Sequence, residues 1–157
     1  MPTPEQHALL SASSAARWLA CTPSARLSEH CPETTSKWAE EGRLAHSLGE
    51  LKLRKLFGDG GAPMKPSAYK KARAAIEADP WWEAEMDECT DEYVQHIQET
   101  VLQYGHRPLL AFEQRFDLSR FVPEGFGTAD CVILTGDTIH VCDYKHGQGV
   151  PVSAEDN

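Results

Sequence analysis

The sequence lacks any apolar run long enough to cross a lipid bilayer. A crossing needs about 20 mainly apolar residues, and polar or charged residues interrupt every apolar stretch of this 157-residue chain. Residues 1–21 also lack the basic start and the unbroken apolar stretch of a secretory signal peptide. We therefore expect a cytoplasmic protein that has no membrane partner.

Cysteines are few, and their spacing matches no common framework. The chain has five cysteines, and no two of them form a C-x-x-C pair. They are Cys21, Cys31, Cys89, Cys131 and Cys142. An odd set with this spacing argues against both a secreted disulfide framework and a zinc ribbon. The sequence predicts reduced thiols.

Positive charge is scarce, with 15 Lys and Arg against 24 Asp and Glu and a net charge of -9. Affinity for a nucleic-acid backbone comes largely from Lys and Arg, so this balance argues against such a partner. However, eight of the acids lie between Glu77 and Glu92, a segment with no Lys or Arg. The rest of the chain is nearly neutral. We interpret the acidic segment as a solvated helix surface, with a docking site for a basic partner as the less favoured alternative.

Helical patterns dominate the first two thirds of the chain. From Ser36 to Phe57, apolar residues recur at steps of three and four, and the glycines that follow end the pattern. Shorter patterns predict a helix within 11–21 and a basic helical stretch at the end of the Gly- and Pro-rich loop 58–68. A last helix is predicted from Pro80, a favoured first-turn residue, to Tyr104.

Residues 109–146 have the composition of a β-meander. Alternating apolar and polar residues predict a first strand at the start of this segment. Two β-rich runs, Gly127–Thr135 and Thr138–Lys145, are joined by Gly136 and Asp137, which predicts a β-hairpin. Together with the helical part, residues 8–105, the pattern predicts one α/β (α+β) domain with helices packed on a mainly antiparallel three-stranded sheet.

Acidic side chains are predicted to converge at one end of the hairpin. Asp143 and Lys145 are two residues apart, which places them on one face of the last strand, and Asp130 on the neighbouring strand can share that face. Neighbouring carboxylates repel unless a cation compensates them. Carboxylate ligands suit Mg²⁺ or Mn²⁺. Such an ion can polarise a phosphoryl oxygen while a lysine orients the attacking water. The alternative is an ordinary surface ion pair at a strand end.

Three motifs resemble the RecB-like branch of the PD-(D/E)xK nuclease superfamily. They are Glu41-Gly-Arg-Leu-Ala-His46, Gly127-Thr-Ala-Asp130 and Asp143-Tyr-Lys145, which resemble the helical G-x-x-x-H, the G-x-x-D and the D-Y-K of that branch. The chain also resembles a phage and prophage family of RecB-like proteins of unassigned role. The resemblance implies a restriction-endonuclease-like core and a metal-dependent DNA nuclease of the RecB-like exonuclease type.

The resemblance also implies roles for particular residues. Mg²⁺ or Mn²⁺ would bind Asp130, Asp143, the backbone carbonyl of Tyr144 and, from the helix, His46. Lys145 would position the attacking water, and Glu113 would be a supporting catalytic acid on the first strand. His46 has a simpler alternative, a local pair with Glu50 on the same helix. The candidate contacts to DNA are the basic residues Lys65, Lys70, Lys71 and Arg73, for which a solvated helix face is the alternative.

Proteins of this branch usually continue into a helix bearing Q-x-x-x-Y and a fourth strand. Neither is found before Asn157, so we expect one nuclease-like domain over residues 1–157 that lacks these two elements. Some relatives hold an iron–sulfur cluster, but no cysteine follows Cys142, and we expect none here. The expected partners are DNA and other phage recombination or replication proteins. The alternative function is a catalytically inactive binding module that keeps the nuclease fold.

Overall fold

The computed structural model describes residues 9–11, 14–31, 36–58 and 61–147. In these residues the chain forms five helices and three strands. The helices are α1 (Ala15–Ala20), α2 (Ser24–Ser28), α3 (Lys37–Phe57), α4 (Pro66–Glu77) and α5 (Glu85–Leu102). The strands are β1 (Leu109–Asp117), β2 (Phe126–Thr135) and β3 (Thr138–Cys142). The predicted α+β class is thereby confirmed.

Helix α3 has the bounds that its local sequence predicts. The Ser36 side chain accepts a hydrogen bond from the backbone N–H of Ala39, which satisfies one of the free donors at the helix start. At the other end Gly58 has a φ of 89°, a conformation that favours glycine. Leu44, Leu48 and their apolar neighbours in the middle of the predicted face are buried, whereas Trp38 and Leu56 near its two ends are exposed. The helix therefore provides a rigid support for residues on its edges.

Helix α5 begins later than predicted. The segment after Pro80 forms a turn in which the Asp79 side chain accepts from the backbone N–H of Trp81, and the N–H of Trp82 donates to the Asp79 carbonyl. These bonds compete with the first helical turn, and the helix starts only at Glu85. The prediction of one helix from Pro80 was wrong.

The sheet has the strand order β1-β2-β3. Strands β2 and β3 are antiparallel, with Cys131 opposite Cys142, and a tight turn with Gly136 at a φ of 54° joins them. This confirms the predicted hairpin. Strand β3 ends at Cys142, however, so Asp143 and Lys145 follow the strand rather than lie in it. Beyond this point the backbone N–H of Tyr144 donates to the side chain of Asp130 on β2.

The described residues divide into two compact units. The first unit comprises described residues within 35–114 and 129–150, and the second comprises described residues within 1–34 and 115–128. In the first unit, α3 packs against α4 and α5. Its buried apolar residues form two clusters: Leu44, Ala45, Leu48, Met86 and Tyr144, and Leu53, Ile97, Cys131 and Ile133. Every candidate site residue belongs to this first unit.

In the part of the chain that the structure describes, no helix combines the length and the apolar character that a membrane crossing needs.

Candidate metal centre

Three side chains from three elements converge in the first unit. His46 of α3, Glu113 of β1 and Asp130 of β2 each offer a ligand atom, and these atoms lie within 4.8 Å of one another. His46 Nδ1 is 3.3 Å from Asp130 Oδ1. Ligands about 2.1 Å from an octahedral cation are about 3.0 Å apart when adjacent and about 4.2 Å apart when opposite. The group therefore fits a divalent cation if its widest separation shortens slightly.

The type of ligand limits the type of cation. Carboxylates suit Mg²⁺, Ca²⁺ and Mn²⁺, whereas an imidazole suits transition metals. One imidazole with two carboxylates therefore favours Mn²⁺ over Mg²⁺. The ring of His46 is also held in place, since it contacts the ring of Tyr144 edge-on at a centroid distance of 5.4 Å.

Glu113 reaches the group through an unusual backbone conformation. Its φ is 48°, in the left-handed region that residues other than glycine rarely adopt. This conformation interrupts the alternation of β1, and it brings the carboxylate next to His46 and Asp130. Strained residues of this kind occur often at functional sites, where the surrounding structure compensates for the strain.

Asp130 is the best-fixed member of the group. Its Oδ2 accepts a hydrogen bond of 2.6 Å from the backbone N–H of Tyr144, while its Oδ1 faces His46. Burial by itself would raise the pKa of Asp130, but the bonds from His46 and from the Tyr144 N–H outweigh burial and lower it. The carboxylate is therefore ionised and oriented at neutral pH.

The other two members hold protons more tightly. Glu113 is exposed by surface area, but the residues packed around its carboxylate remove enough water to raise its pKa to about 7, and the negative charges of Asp130 and Glu50 add to this effect. Burial would lower the pKa of His46, but the hydrogen bond and charge of Asp130 outweigh burial and raise it. Near neutral pH the group therefore carries protons that a cation would displace.

Tyr93 lies beside the group with a buried hydroxyl that has no hydrogen-bond partner among the described residues. It lines a narrow cavity together with His46, Glu50, Glu113 and Asp130. A buried hydroxyl without a partner costs about 1–3 kcal/mol. Burial also raises its pKa, so the hydroxyl keeps its proton. It is an unused donor beside the group, and no motif in the sequence pointed to it.

Asp143 and Lys145 form a pair next to this group. Asp143 Oδ2 is 2.7 Å from Lys145 Nζ, and both side chains are largely exposed. Among the described residues, the compact group consists of His46, Glu113 and Asp130 and leaves Asp143 outside. The pair is still close enough to act on the group, because Asp143 helps to raise the pKa of His46 and Lys145 helps to lower that of Asp130.

Tyr144 and the four basic residues differ in burial and in their contacts. The Tyr144 ring is buried and packs on Tyr93 at a centroid distance of 4.9 Å, and its N–H serves Asp130 as described above. In α4 and at its start, three lysines are exposed: Lys65, Lys70 and Lys71. Arg73 differs from them, since its guanidinium binds the carboxylates of Glu77 and Asp87.

The local His46–Glu50 pair proposed as an alternative does not form. His46 contacts Asp130 instead, and Glu50 Oε1 accepts a bond of 2.7 Å from Arg54 Nε. Because both partners have other contacts, the orientation of His46 is set by the sheet rather than by its own helix.

We expect the affinity for Mn²⁺ to increase between pH 6 and pH 8. The cation must displace protons from His46 and Glu113, and each displaced proton contributes up to about tenfold per pH unit. Isothermal titration calorimetry at several pH values measures this slope. Glu113→Gln removes one of the two protons and should flatten the slope, whereas Glu99→Gln, on the exposed side of α5, should leave it unchanged. An affinity independent of pH would contradict the assignment of these ligands.

Two comparisons with known proteins bear on this chain. No solved structure matches it. A family model described as a protein of unknown function, DUF2800, matches residues 7–157. The match runs through both compact units and includes His46, Glu113 and Asp130, so it concerns nearly the whole sequence. The chain therefore belongs to the DUF2800 family of proteins of unknown function.

Proposed function

We propose that this chain is a metal-dependent deoxyribonuclease module that hydrolyses phosphodiester bonds. The observation that carries the proposal is the convergence of one imidazole and two carboxylates from α3, β1 and β2. An Asp–Lys pair follows β3, and its charges act on His46 and Asp130. A helix followed by a three-stranded meander, with acids at these positions, resembles the RecB-like branch of the PD-(D/E)xK superfamily.

Each residue has a role that its surroundings support. His46, Glu113 and Asp130 would hold Mn²⁺ or Mg²⁺, which when bound would polarise a phosphoryl oxygen. Asp130, fixed by the Tyr144 N–H, orients the group. The exposed ammonium of Lys145 can stabilise negative charge on a phosphate and orient the attacking water. Asp143 keeps that ammonium in place through their ion pair.

The charges of the surface are compatible with DNA in spite of the acidic composition. The three exposed lysines at α4 can contact backbone phosphates. Part of the acidic segment is neutralised within the fold, because Asp87 and Asp91 bind the buried ammonium of Lys52. These ion pairs leave the net charge of -9 unchanged, so contact with DNA depends on the local positive charge of the exposed lysines rather than on the charge of the whole chain.

The test is a cleavage assay on end-labelled linear DNA and on circular DNA. We expect cleavage in Mn²⁺ that chelation abolishes, and Lys145→Ala should slow it about a hundredfold. Lys55→Ala is the matched control, since Lys55 is an exposed lysine of α3 away from the group. Cleavage that survives chelation, or that is equal in the two variants, would contradict the proposal. Products from the linear and circular forms distinguish exonuclease from endonuclease action.

A second candidate function is a binding module that keeps this fold without cleaving DNA. The observation in its favour is that Asp143 binds Lys145 and stands outside the compact group. If the module only binds, the wild-type protein should bind DNA, as measured by fluorescence anisotropy, and should not cleave it with Mn²⁺ or Mg²⁺.

A further inference from the structure

A larger cavity lies along β1, next to the C-terminal end of α3. Its volume is about 670 Å³, within the range of about 300–1,000 Å³ that is usual for small-molecule sites. It is lined by residues of α3, of the segment before β1 and of β1 itself. They include Arg54, Phe57, Arg107, Leu109, Phe112 and Gln114.

The walls of this cavity combine apolar rings with positive charge. Phe57 and Phe112 are 6.3 Å apart between ring centroids and tilted by 34°. Arg107 is exposed and donates one hydrogen bond to the Phe57 carbonyl, which fixes its guanidinium at the cavity. A guanidinium has five N–H donors, so one such bond leaves capacity for an anion.

The charge of the lining is opposite to that of the whole chain. Its described residues include neither Asp nor Glu but two arginines, of which Arg54 is paired with Glu50 and Arg107 makes no ion pair with a described acid. The protein as a whole has a net charge of -9. A ligand with a flat apolar body and a negative group is complementary to this lining, and a nucleotide has both.

The cavity and the metal centre share the same two elements. Phe112 and Gln114, which line the cavity, flank Glu113 in β1. On α3, Arg54 of the cavity binds Glu50, which lines the narrow cavity beside the metal ligands. If a phosphate of a DNA strand is bound at the metal centre, the neighbouring nucleotide of that DNA strand would therefore lie beside the larger cavity.

We propose that this cavity binds an unstacked nucleotide of single-stranded DNA adjacent to the bond that is cleaved. The inference deepens the proposed function and rests on it. A base stacked within a duplex could not enter the cavity, whereas a single strand can present one base to Phe57 and Phe112 and its phosphate to Arg107.

The test measures binding without cleavage. A fluorescein-labelled hexamer of deoxythymidylate is titrated with the full chain in EDTA and again in Ca²⁺, and anisotropy gives the dissociation constant. Leu109→Glu places a negative charge at the exposed lining of the cavity and should weaken binding about tenfold or more. Ile139→Glu is its matched control, since Ile139 is 57% exposed against 62% for Leu109 and does not line the cavity.

A second pair of variants tests the arginine. Arg107→Gln should weaken binding about tenfold, since it removes a charge-assisted hydrogen bond. Arg26→Gln removes the same charge from the second unit and should change affinity less than about twofold. Equal effects of Arg107→Gln and Arg26→Gln, or binding that survives Leu109→Glu, would overturn the inference.

Failure of this inference can be told apart from failure of the proposed function. Asp130→Asn lies outside the cavity and should keep the hexamer binding measured in EDTA, where no metal contributes, while it reduces cleavage on the order of a thousandfold. Cleavage by wild type together with unchanged binding in Leu109→Glu and Arg107→Gln would overturn the cavity assignment alone. Binding without cleavage, lost in both variants, would support the cavity assignment and contradict the nuclease proposal. Binding of an extended apolar peptide in place of the hexamer would also overturn the inference.

Discussion

Replacing Lys52 by methionine should lower the free energy of unfolding by about 3 kcal/mol. Only 9% of the Lys52 side chain is exposed, and its ammonium is 2.7 Å from Asp87 Oδ1 and 2.5 Å from Asp91 Oδ1. It also donates to Thr90 Oγ1 at 2.9 Å. Methionine keeps the length and apolar body of the side chain but removes all of these bonds. Since the two carboxylates are partly exposed and can regain water, we expect a loss at the lower end of that for a buried pair.

Urea unfolding followed by circular dichroism measures this difference. Lys55→Met is the control, because it is the same substitution on the same helix at an exposed position, where its ammonium lies 4.3 Å over the ring of Tyr69. We expect a loss of less than about 1 kcal/mol there. If the two variants lose equal stability, the Lys52 network does not hold α3 and α5 together.

The ion pairs of Lys52 show that the acidic segment is not only a solvated surface. The acids from Glu77 to Glu92 suggested a solvated surface, and several of them are indeed exposed. Asp87, however, binds both Lys52 and Arg73, and its pKa is lowered to about 2, chiefly by the bond with Arg73. Its two partners come from other helices. Helix periodicity predicts which residues share a face, but it does not identify the residue that packs against that face.

Helices and turns whose ends are set by neighbouring residues were predictable from the sequence. Helix α3 begins after a capping serine and ends before a glycine with positive φ, and both signals lie within a few residues of the ends they set. The hairpin depends in the same way on Gly136 and on the β-rich runs beside it. The start of α5 was missed because Asp79 accepts bonds that favour a turn over a first helical turn.

The candidate site was only partly predictable, since it depends on the path of the backbone. Glu113 reaches the group through a φ of 48°, which alternation along a strand does not anticipate. Asp143 was expected in β3, but the strand stops one residue earlier, where the Asp130 side chain takes the Tyr144 N–H. Tyr93 comes from α5, far from every motif in the sequence, so only the tertiary structure brings it to the cavity.

The geometry also indicates that Asp130 and Asp143 contribute unequally to metal binding. Asp130 has two contacts that fix it, with His46 and with the Tyr144 N–H, and it lies within the compact group. Asp143 lies outside this group, and its carboxylate binds Lys145. If both acids were equal ligands, their substitution would have equal effects on metal affinity. The arrangement instead leads us to expect a much larger effect for Asp130.

Asp130→Asn should reduce Mn²⁺-dependent cleavage of DNA on the order of a thousandfold. Asparagine has nearly the same shape and can still accept a hydrogen bond from the Tyr144 N–H through its amide oxygen, so the end of the hairpin should stay in place. It has no negative charge, and it therefore cannot compensate a divalent cation together with Glu113. Single-turnover rates measure the cleavage, and calorimetry with Mn²⁺ should show a matching loss of affinity.

Asp137→Asn is the control for this substitution. Asp137 lies in the exposed turn of the same hairpin, and the change removes the same charge from the chain without touching the compact group. We expect its cleavage rate and metal affinity to equal those of wild type. Asp143→Asn should lie between the two, since its charge acts on His46 without joining the group. Wild-type cleavage in Asp130→Asn would exclude this carboxylate from the chemistry, and the nuclease proposal would then lose the observation on which it depends.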